Sequence, residues 1–201
     1  METYLHQLPR VIHHVSILLQ DRDFPVPSLY SSLKDISTIL SKALEKACSI
    51  GELLTCVVTR ASDNVRMKVA WIDPTFDVSK GRDVMTSACQ LYGTGLEEPL
   101  TLILSYTRLS PDATKEASKL KHVQILTFNC LAIPISQHIM IPAHTALTEQ
   151  ETQKWEMSTG VHRSQMPILK MSDPVRKWYG WPKNTLVRID RSMGETFRYV
   201  K

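Results

Sequence analysis

The side chains best suited to hold a metal ion in this 201-residue chain are seven histidines and four cysteines. His13 and His14 are adjacent, so on a helix they point in different directions and make poor joint ligands; we expect them on the helix surface. His138 and His144 lie six residues apart with no cysteine companion. Because no CxxC pair occurs and no cysteine accompanies these histidines, the sequence predicts no metal site.

A metal-dependent nuclease needs an acidic residue and then Asp/Glu-x-Lys on a strand, to bind the ion and activate water. Here the matching strand reads Arg66, Met67, Lys68, so a positive charge replaces the carboxylate. Asp63 and Asp73 stand at the ends of that strand, which leaves a nuclease as an unfavoured alternative. Phosphate-loop and nucleophile-elbow motifs are absent. We therefore predict no catalytic residue, no metal and no cofactor.

Basic side chains collect near the end of the sequence. Residues 1–121 carry 14 basic and 14 acidic side chains, whereas residues 170–201 carry 8 basic and 3 acidic ones. Such a surface suits the phosphates of nucleic acid or an acidic protein face. A free-standing nucleic-acid-binding protein is the main alternative function, with phosphate contacts from Lys170, Arg176, Lys177, Lys183, Arg188 and Arg191.

Composition indicates a folded globular protein, since 43% of residues are hydrophobic and 22% are charged. No apolar run approaches the length of a membrane span, and "VSILLQ" is too short for a signal peptide. The cysteines are most simply reduced, buried thiols of an intracellular protein; they are Cys48, Cys56, Cys89 and Cys130.

Two apolar stripes at helical spacing open the chain. Pro9 predicts that the first helix begins near that residue, because proline is tolerated in a first turn. Ser28 is the expected N-cap of the second helix, after the break "DFPVPS". The stripes consist of Leu5, Leu8, Ile12, Val15 and Leu19, and of Leu29, Leu33, Ile36, Leu40 and Leu44.

Strand patterns follow Gly51. The first two strand segments are joined by the turn residues "ASDN" and predict a hairpin. The next two are apolar enough to be buried on both faces. The four segments are 53–60, 65–72, 100–107 and 122–129, with helices expected at 79–93 and 110–120. The order α–α–β–β–α–β–α–β predicts a mixed α/β domain over residues 1–130, followed by an extended connector over 131–140.

Residues 141–201 carry unusually explicit local signals. Thr148 and Glu151 form a capping box that starts a helix reaching about Ser158. In "SDPVRKWYG", Asp173 is a good N-cap, Pro174 suits the first helical position, and Gly180 suits a left-handed stop. A turn at "WPKN", with Asn184 tolerating positive φ, then leads into two alternating strands. A unit this small lacks a sizeable core, so we expect its strands to pack against the helix at 148–158 or against a partner surface.

This order resembles the C-terminal assembly domain of the fifth subunit of eukaryotic nuclear RNA polymerases, a family that includes a shorter archaeal counterpart without the first domain. That family shows Pro-x-His, Thr/Ser-x-Glu-Glu before a helix, Asp-Pro-Val, a glycine, an alternating Val–Lys–Ile–x–Arg strand and a terminal Gly…Tyr strand. The matching residues here are Pro142, His144, Thr148, Glu149, Glu151, Pro167, Asp173, Pro174, Val175, Arg176, Gly180, Val187, Arg188, Ile189, Arg191, Gly194 and Tyr199.

The resemblance has four departures. Asn184 replaces a glycine in the strand-entry turn, and the loop "RSMGE" is short. Val200 stands where the family usually has arginine, which removes an expected contact. Trp178, Tyr179 and Trp181 are bulkier than expected, and the tryptophans are either interface anchors or core residues.

The resemblance implies an α+β protein with a nuclease-like jaw domain at 1–130 and a small assembly domain at 141–201. It implies a noncatalytic subunit of a multisubunit DNA-dependent RNA polymerase. The resemblance further implies that the assembly domain docks on the largest subunit and that the jaw contacts downstream duplex DNA weakly, without reading the DNA sequence. The amino-acid sequence does not identify the jaw residues that contact DNA. The implied interface residues are Pro142, His144, Asp173, Pro174, Val175, Arg176, Trp178, Arg188, Arg191 and Tyr199.

The divergence of the first domain suggests a paralogue dedicated to one polymerase class, as in kinetoplastids, or a giant-virus version. The corresponding location is the nucleus, or the nucleolus for a ribosomal-RNA polymerase. The viral alternative implies a cytoplasmic viral factory or a virion.

Overall fold

The computed structural model of this chain describes residues 2–31, 38, 50–72, 100–106, 108, 111–112, 114–115 and 123–201. Two compact units are distinguished, Met1–Ile133 and Pro134–Lys201. The division falls within the stretch 131–140 expected as a connector. Each unit combines helices with a four-stranded sheet, which confirms the α+β class.

Helix α1 spans Glu2–Asp21 and presents its apolar stripe to the core of the first unit. Leu8, Ile12, Val15 and Leu19 are fully buried, as the spacing predicts. The expected start near Pro9 is wrong, because the helix begins about two turns earlier and holds Pro9 inside it. Burial of this stripe outweighs the hydrogen bond that proline cannot donate.

His14 is a second correction on α1. It is 9% exposed, and its Nδ1–H donates to the Leu131 carbonyl oxygen at 2.6 Å. Only His13 of the pair is exposed, as was expected of both. The bond joins residues 117 positions apart, so no local sequence pattern could indicate it.

Helix α2 is described over Ser28–Ser31 and begins at Ser28, the residue expected as its cap. The remainder of that predicted helix and the helix predicted at 79–93 lie outside the described residues. In the helix predicted at 110–120, residues 111–112 and 114–115 are helical.

The first sheet has the strand order β1–β2–β3–β4. β1 and β2 form the predicted antiparallel hairpin, whereas β2, β3 and β4 run parallel. The buried run of β3 confirms the prediction that it is covered on both faces, but β4 is mostly half-buried, so the same prediction is wrong for β4. One boundary is wrong: the helix α3, Ile50–Leu54, occupies the start of the segment expected as β1. The strands are Cys56–Thr59, Arg66–Ile72, Leu100–Ser105 and Val123–Thr127.

A buried hydroxyl ties α2 and α3 to this sheet. The Tyr30 hydroxyl donates to the Leu54 carbonyl oxygen at 2.5 Å and accepts the indole N–H of Trp71 at 2.8 Å. The Trp71 ring meets Tyr30 and Phe128 edge-on, at centroid distances of 6.1 and 5.9 Å. Burial raises the pKa of Tyr30, so the hydroxyl keeps its proton and remains a donor.

The second sheet has the order β5–β7–β8–β6 and carries the C-terminal unit. The predicted pair β7 and β8 is antiparallel; β5 adds to β7 antiparallel and β6 adds to β8 in parallel. The sequence interpretation missed both edge strands, because two to four residues without a strong apolar pattern become strands only when a partner pairs with them. The bounds are Ala143–Ala146, Ile168–Leu169, Leu186–Arg191 and Gly194–Val200.

Two helices of this unit follow the predicted caps closely. Helix α4 spans Glu149–Thr159, and its capping box between Thr148 and Glu151 is complete. Helix α5 spans Pro174–Tyr179, with the Asp173 side chain accepting the N–H of Val175 and of Arg176. Gly180 ends α5 at φ 73° and Asn184 adopts φ 70°, both left-handed as predicted.

A buried hydrophobic cluster of the C-terminal unit lies on one face of its sheet. Leu169, Val187, Ile189 and Val200 form a buried cluster, against which Met171 and Trp181 pack. Val200, which replaces an arginine of the family pattern, is fully buried there. The unit thus has a small core of its own, to which β6, β7 and β8 all contribute.

The cysteines differ from expectation where they are described. Cys56 is half-buried, but Cys130 is exposed, which contradicts the interpretation of all four as buried; Cys48 and Cys89 lie outside the described residues. Among the helices that are described, none combines the length and apolarity needed to cross a membrane.

Candidate functional site

The sheet of the C-terminal unit separates the expected interface residues onto two faces. In an antiparallel ladder, residues directly opposite each other share a face and alternate residues change face. His144 pairs with Ile189, whereas Arg188 pairs with Phe197 and Tyr199 with Leu186. His144 and the core cluster are therefore on one face, and Arg188 and Tyr199 are on the other.

On the core-cluster face, three rings form an aromatic row. Tyr179 and Trp181 stack almost in parallel, with centroids 4.7 Å apart and planes 5° apart. The His144 ring lies 6.5 Å from the Trp181 ring. Nδ1–H of His144 donates to the Pro142 carbonyl oxygen at 2.6 Å, which fixes the orientation of the imidazole ring. The sequence pattern singled out these residues but did not indicate that their rings are in contact. Gly180 and the turn after it bring the rings together.

Besides Trp178, four expected interface residues lie on or beside helix α5. Asp173 caps the helix, and exposed Pro174 begins it. Val175 and Arg176 follow and are half-buried. Burial lowers the pKa of the Arg176 guanidinium, and Nε of Arg176 is buried without a hydrogen-bond partner among the described residues.

Trp178 belongs to the core rather than to an exposed surface. It is 1% exposed and is the largest fully buried side chain among the described residues. Helix α5, which carries it, packs against the 3-10 turn Ile135–Gln137. The sequence left open whether the tryptophans fill the core or anchor a partner. For Trp178 the structure decides that question, and the residue is not available as an exposed anchor.

The opposite face of the sheet carries compensated charges. Arg188 Nε lies 3.2 Å from Asp190 Oδ1, and its Nη1 lies 3.7 Å from Glu195 Oε1. Tyr199 donates its hydroxyl to Asn184 Oδ1 at 2.6 Å. Arg191, by contrast, is exposed at the end of β7, on the face of Ile189.

A bidentate clamp that the sequence interpretation missed joins α4 to the loop after it. The Arg163 guanidinium donates to Glu149 at 2.6 and 2.8 Å and to Glu156 Oε1 at 3.0 Å. These bonds lower the pKa of Glu156 to about 2 and raise the pKa of Arg163. The seven-residue spacing of Glu149 and Glu156, two helical turns, was the available signal.

Asp63, one of the two candidate nuclease residues, has a structural role in the β1–β2 turn. Asp63 accepts two hydrogen bonds from the Arg60 guanidinium, at 2.6 and 2.9 Å, in the exposed β1–β2 turn. Asp73 lies outside the described residues. Across the part of the chain that is described, no group of three or more His, Cys, Asp or Glu side chains is placed to share a metal ion.

Comparison with known proteins identifies the C-terminal unit. Residues 133–201 match the family model described as "RNA polymerase Rpb5, C-terminal domain". The Rpo5 subunit of the DNA-directed RNA polymerase of Sulfolobus acidocaldarius is 36% identical over 73 residues, covering 34% of this chain and 87% of that protein. The chain belongs to the Rpb5 family.

Two further members of the Rpb5 family show how far the likeness extends. The subunit rpabc1 of RNA polymerases I, II and III of Dictyostelium discoideum is 29% identical over 96 residues, 47% of this chain and 49% of that protein. The Rpo5 subunit of Sulfurisphaera tokodaii is 32% identical over 75 residues, 35% of this chain and 89% of that protein. The match thus spans about half the length of the Dictyostelium relative and nearly all of the archaeal ones.

The structure gives a physical reason for one departure from the Rpb5 pattern. Asn184 occupies the turn where the family resemblance expects glycine, and its φ of 70° is left-handed. Asparagine tolerates this region better than other non-glycine residues. Its side-chain oxygen also accepts a hydrogen bond from the Tyr199 hydroxyl, which links the turn to β8. The relatives that match are subunits of DNA-directed RNA polymerases.

Proposed function

We propose that this chain is a noncatalytic structural subunit of a multisubunit DNA-dependent RNA polymerase. Its C-terminal unit docks on the largest subunit, and its N-terminal unit contacts duplex DNA entering the enzyme, without reading sequence. The chain acts in the nucleus, or in the nucleolus if it serves the ribosomal-RNA polymerase. A giant-virus version would instead act in a viral factory.

The observation that carries this proposal is the C-terminal unit, whose sequence covers almost the whole of two archaeal polymerase subunits. A module that is a complete subunit elsewhere supports an assembly role for the same module here. Its exposed cations are also consistent with an acidic protein neighbour.

Affinity purification of a tagged full-length copy from its own cells tests the assembly role. We expect the two largest polymerase subunits in near-equal molar amount, measured by quantitative mass spectrometry. Arg191→Glu reverses an exposed charge at the end of β7, and Lys154→Glu makes the same change on exposed α4 as a matched control. We expect only Arg191→Glu to lower polymerase recovery. Recovery of the tagged wild type as a free monomer contradicts the proposal.

The DNA contact needs its own experiment. A photoreactive base placed downstream of the transcription start in a template bound by the purified polymerase should crosslink to peptides of residues 1–133. The same base placed upstream serves as the control. Crosslinks to other subunits alone contradict a DNA contact by this chain and leave its docking unaffected.

A free-standing nucleic-acid-binding protein is the second candidate, favoured by the excess of basic side chains over residues 170–201. It predicts that the purified monomer binds duplex DNA with submicromolar affinity and a steep salt dependence. Weak, salt-labile binding by the free chain, with strong retention by the polymerase, favours the role of a polymerase subunit.

A further inference from the structure

Arg176 on helix α5 is a half-buried cation without a counter-charge among the described residues. Its Nε is buried and has no hydrogen-bond partner there. Burial lowers the pKa of the guanidinium, and no acidic group contributes to that shift. The fold therefore desolvates this charge without compensating it.

The acid nearest in sequence is already in use. Asp173 accepts the backbone N–H of Val175 at 2.8 Å and the backbone N–H of Arg176 at 3.3 Å through the same oxygen, Oδ1. It thus serves the start of α5 rather than the Arg176 side chain.

Several other arginines of the described structure lie close to carboxylates that compensate their charge. Arg60 binds Asp63, and Arg163 binds Glu149 and Glu156. Nε of Arg188 also lacks a hydrogen-bond partner, but the Arg188 guanidinium lies 3.2 Å from Asp190 and 3.7 Å from Glu195. No carboxylate within the described ranges forms such a pair with Arg176. Because partial desolvation of an unpaired cation is unfavourable, folding alone gives no reason for an arginine at this position.

The rings beside Arg176 favour a protein ligand over a nucleic acid base. Tyr179 is three residues further along α5 and so neighbours Arg176 on the helix surface. Tyr179 stacks on Trp181, and Trp181 also contacts the core cluster and approaches His144. Since Trp181 packs against both the core cluster and Tyr179, its ring is less open to base stacking than a fully exposed ring.

We propose that Arg176 receives an Asp or Glu side chain of the largest polymerase subunit, seated beside the Tyr179–Trp181 pair. Because Nε is buried, the guanidinium donates to the carboxylate through its two terminal Nη groups, and the aromatic pair contacts the apolar part of the acidic side chain. This inference rests on the proposed function, because it names the chemistry by which the C-terminal unit docks.

A competition experiment measures the contribution of Arg176 to assembly. A tagged variant is expressed beside untagged wild type in the source cells, and the polymerase is purified through its second-largest subunit. We expect Arg176→Met to reduce the incorporated fraction about tenfold or more, because a charged hydrogen bond is lost. Lys154→Met removes an exposed cation from α4 and is the matched control, with an expected change below about twofold.

The stability of the free chain separates a docking role from a structural one. Arg176→Met replaces a desolvated, unpaired charge with an apolar side chain of similar length, so the melting temperature of the purified chain should stay the same or rise. A fall of several degrees shows that Arg176 supports the fold and overturns the proposal.

A chemical experiment identifies the ligand as a carboxylate. Arg176→Lys keeps the cation and supplies an amine, which a water-soluble carbodiimide couples to a contacting carboxylate as an amide. Mass spectrometry of the treated polymerase should find this residue joined to an Asp or Glu peptide of the largest subunit. Wild type treated in the same way lacks that crosslink and is the control.

The outcomes distinguish this inference from the function on which it rests. Failure of the wild type to enter the polymerase overturns both. Entry of the wild type and of Arg176→Met in equal amounts overturns the inference alone. A third outcome also overturns the inference: the chain binds a duplex or single-stranded DNA oligonucleotide, and Arg176→Met abolishes that binding. The surface would then belong to nucleic acid.

Discussion

Glu156 accepts both the backbone N–H and the guanidinium Nε–H of Arg163, at 2.8 and 3.0 Å, through one carboxylate oxygen. The two residues are seven positions apart, with the left-handed Gly160 between them at φ 68°. The contact folds the chain back onto helix α4 as soon as the helix ends. It shows that the path of the chain after α4 depends on an ionised carboxylate.

This dependence predicts acid sensitivity of the C-terminal unit. The pKa of Glu156 falls from 4.5 to about 2 on folding, so its contribution to stability is complete above about pH 4.5 and disappears as the pH falls towards 2. Glu156→Gln should lower the melting temperature at pH 7, and the difference from wild type should shrink over that window. Tryptophan fluorescence is a suitable probe, since three of the four tryptophans lie in this unit.

The control for this prediction is Glu195→Gln. Glu195 lies 3.7 Å from Arg188 and is 57% exposed, so its removal should change the melting temperature little at any pH. A constant difference between Glu156→Gln and wild type from pH 7 to pH 2 contradicts the role given to the ionised form.

The capping box of α4 gives a second prediction. Thr148→Ala leaves the N–H of Glu151 without its cap and removes the hydroxyl that donates to the Glu151 carboxylate at 2.8 Å, while the backbone N–H of residue 148 still faces that carboxylate. We expect a loss of about 1 kcal/mol in the free energy of unfolding, measured by urea titration. Ser158→Ala removes a hydroxyl from the other end of the same helix and should cost much less. Equal effects at both ends argue against the cap.

Substitution of Trp178 tests whether this side chain belongs to the core or to an interface. Trp178→Ala should lower the free energy of unfolding by about 3–5 kcal/mol, because a fully buried aromatic side chain leaves a cavity. Trp181→Ala should cost less, since the Trp181 ring is only partly buried. The reverse order, measured in the free chain by denaturant unfolding, contradicts the assignment of Trp178 to the core.

The Tyr30 hydroxyl yields a prediction for the first unit. Tyr30→Phe leaves the Leu54 carbonyl and the Trp71 indole N–H without their shared partner. We expect a loss of about 1–3 kcal/mol, which is typical of an unsatisfied buried polar group. Cys56→Ala removes only a weak thiol donor 3.4 Å from the same hydroxyl and is the control. A shift in the Trp71 fluorescence maximum for Tyr30→Phe would accompany the loss.

Local signals in the sequence were reliable because a few neighbouring atoms decide them. The Asp173 cap, the Pro174 start and the Gly180 stop of α5 involve backbone groups within three or four residues. The same is true of Thr148 with Glu151 and of the left-handed Asn184. The hairpin β1–β2 was equally accessible, since its turn residues lie between its strands.

Features that depend on distant partners were missed or assigned wrongly. Strand β5 exists because Ala143–Ala146 pairs with β7, more than forty residues away. His14 is buried because Leu131 supplies an acceptor, and Pro9 is held inside α1 because the stripe around it is buried. None of these partners can be identified from residues nearby in sequence.

The sequence by itself determined the α+β class, the caps and turns of residues 141–201, and the membership of the Rpb5 family that those residues indicate. Only the tertiary structure decided that Trp178 is core, that Arg188 is compensated by Asp190 and Glu195, and that Arg176 is not compensated by any described residue. The physical reason is that caps and turns act between adjacent residues. Burial and charge pairing, by contrast, are set by whichever residues the folded chain brings to the same place.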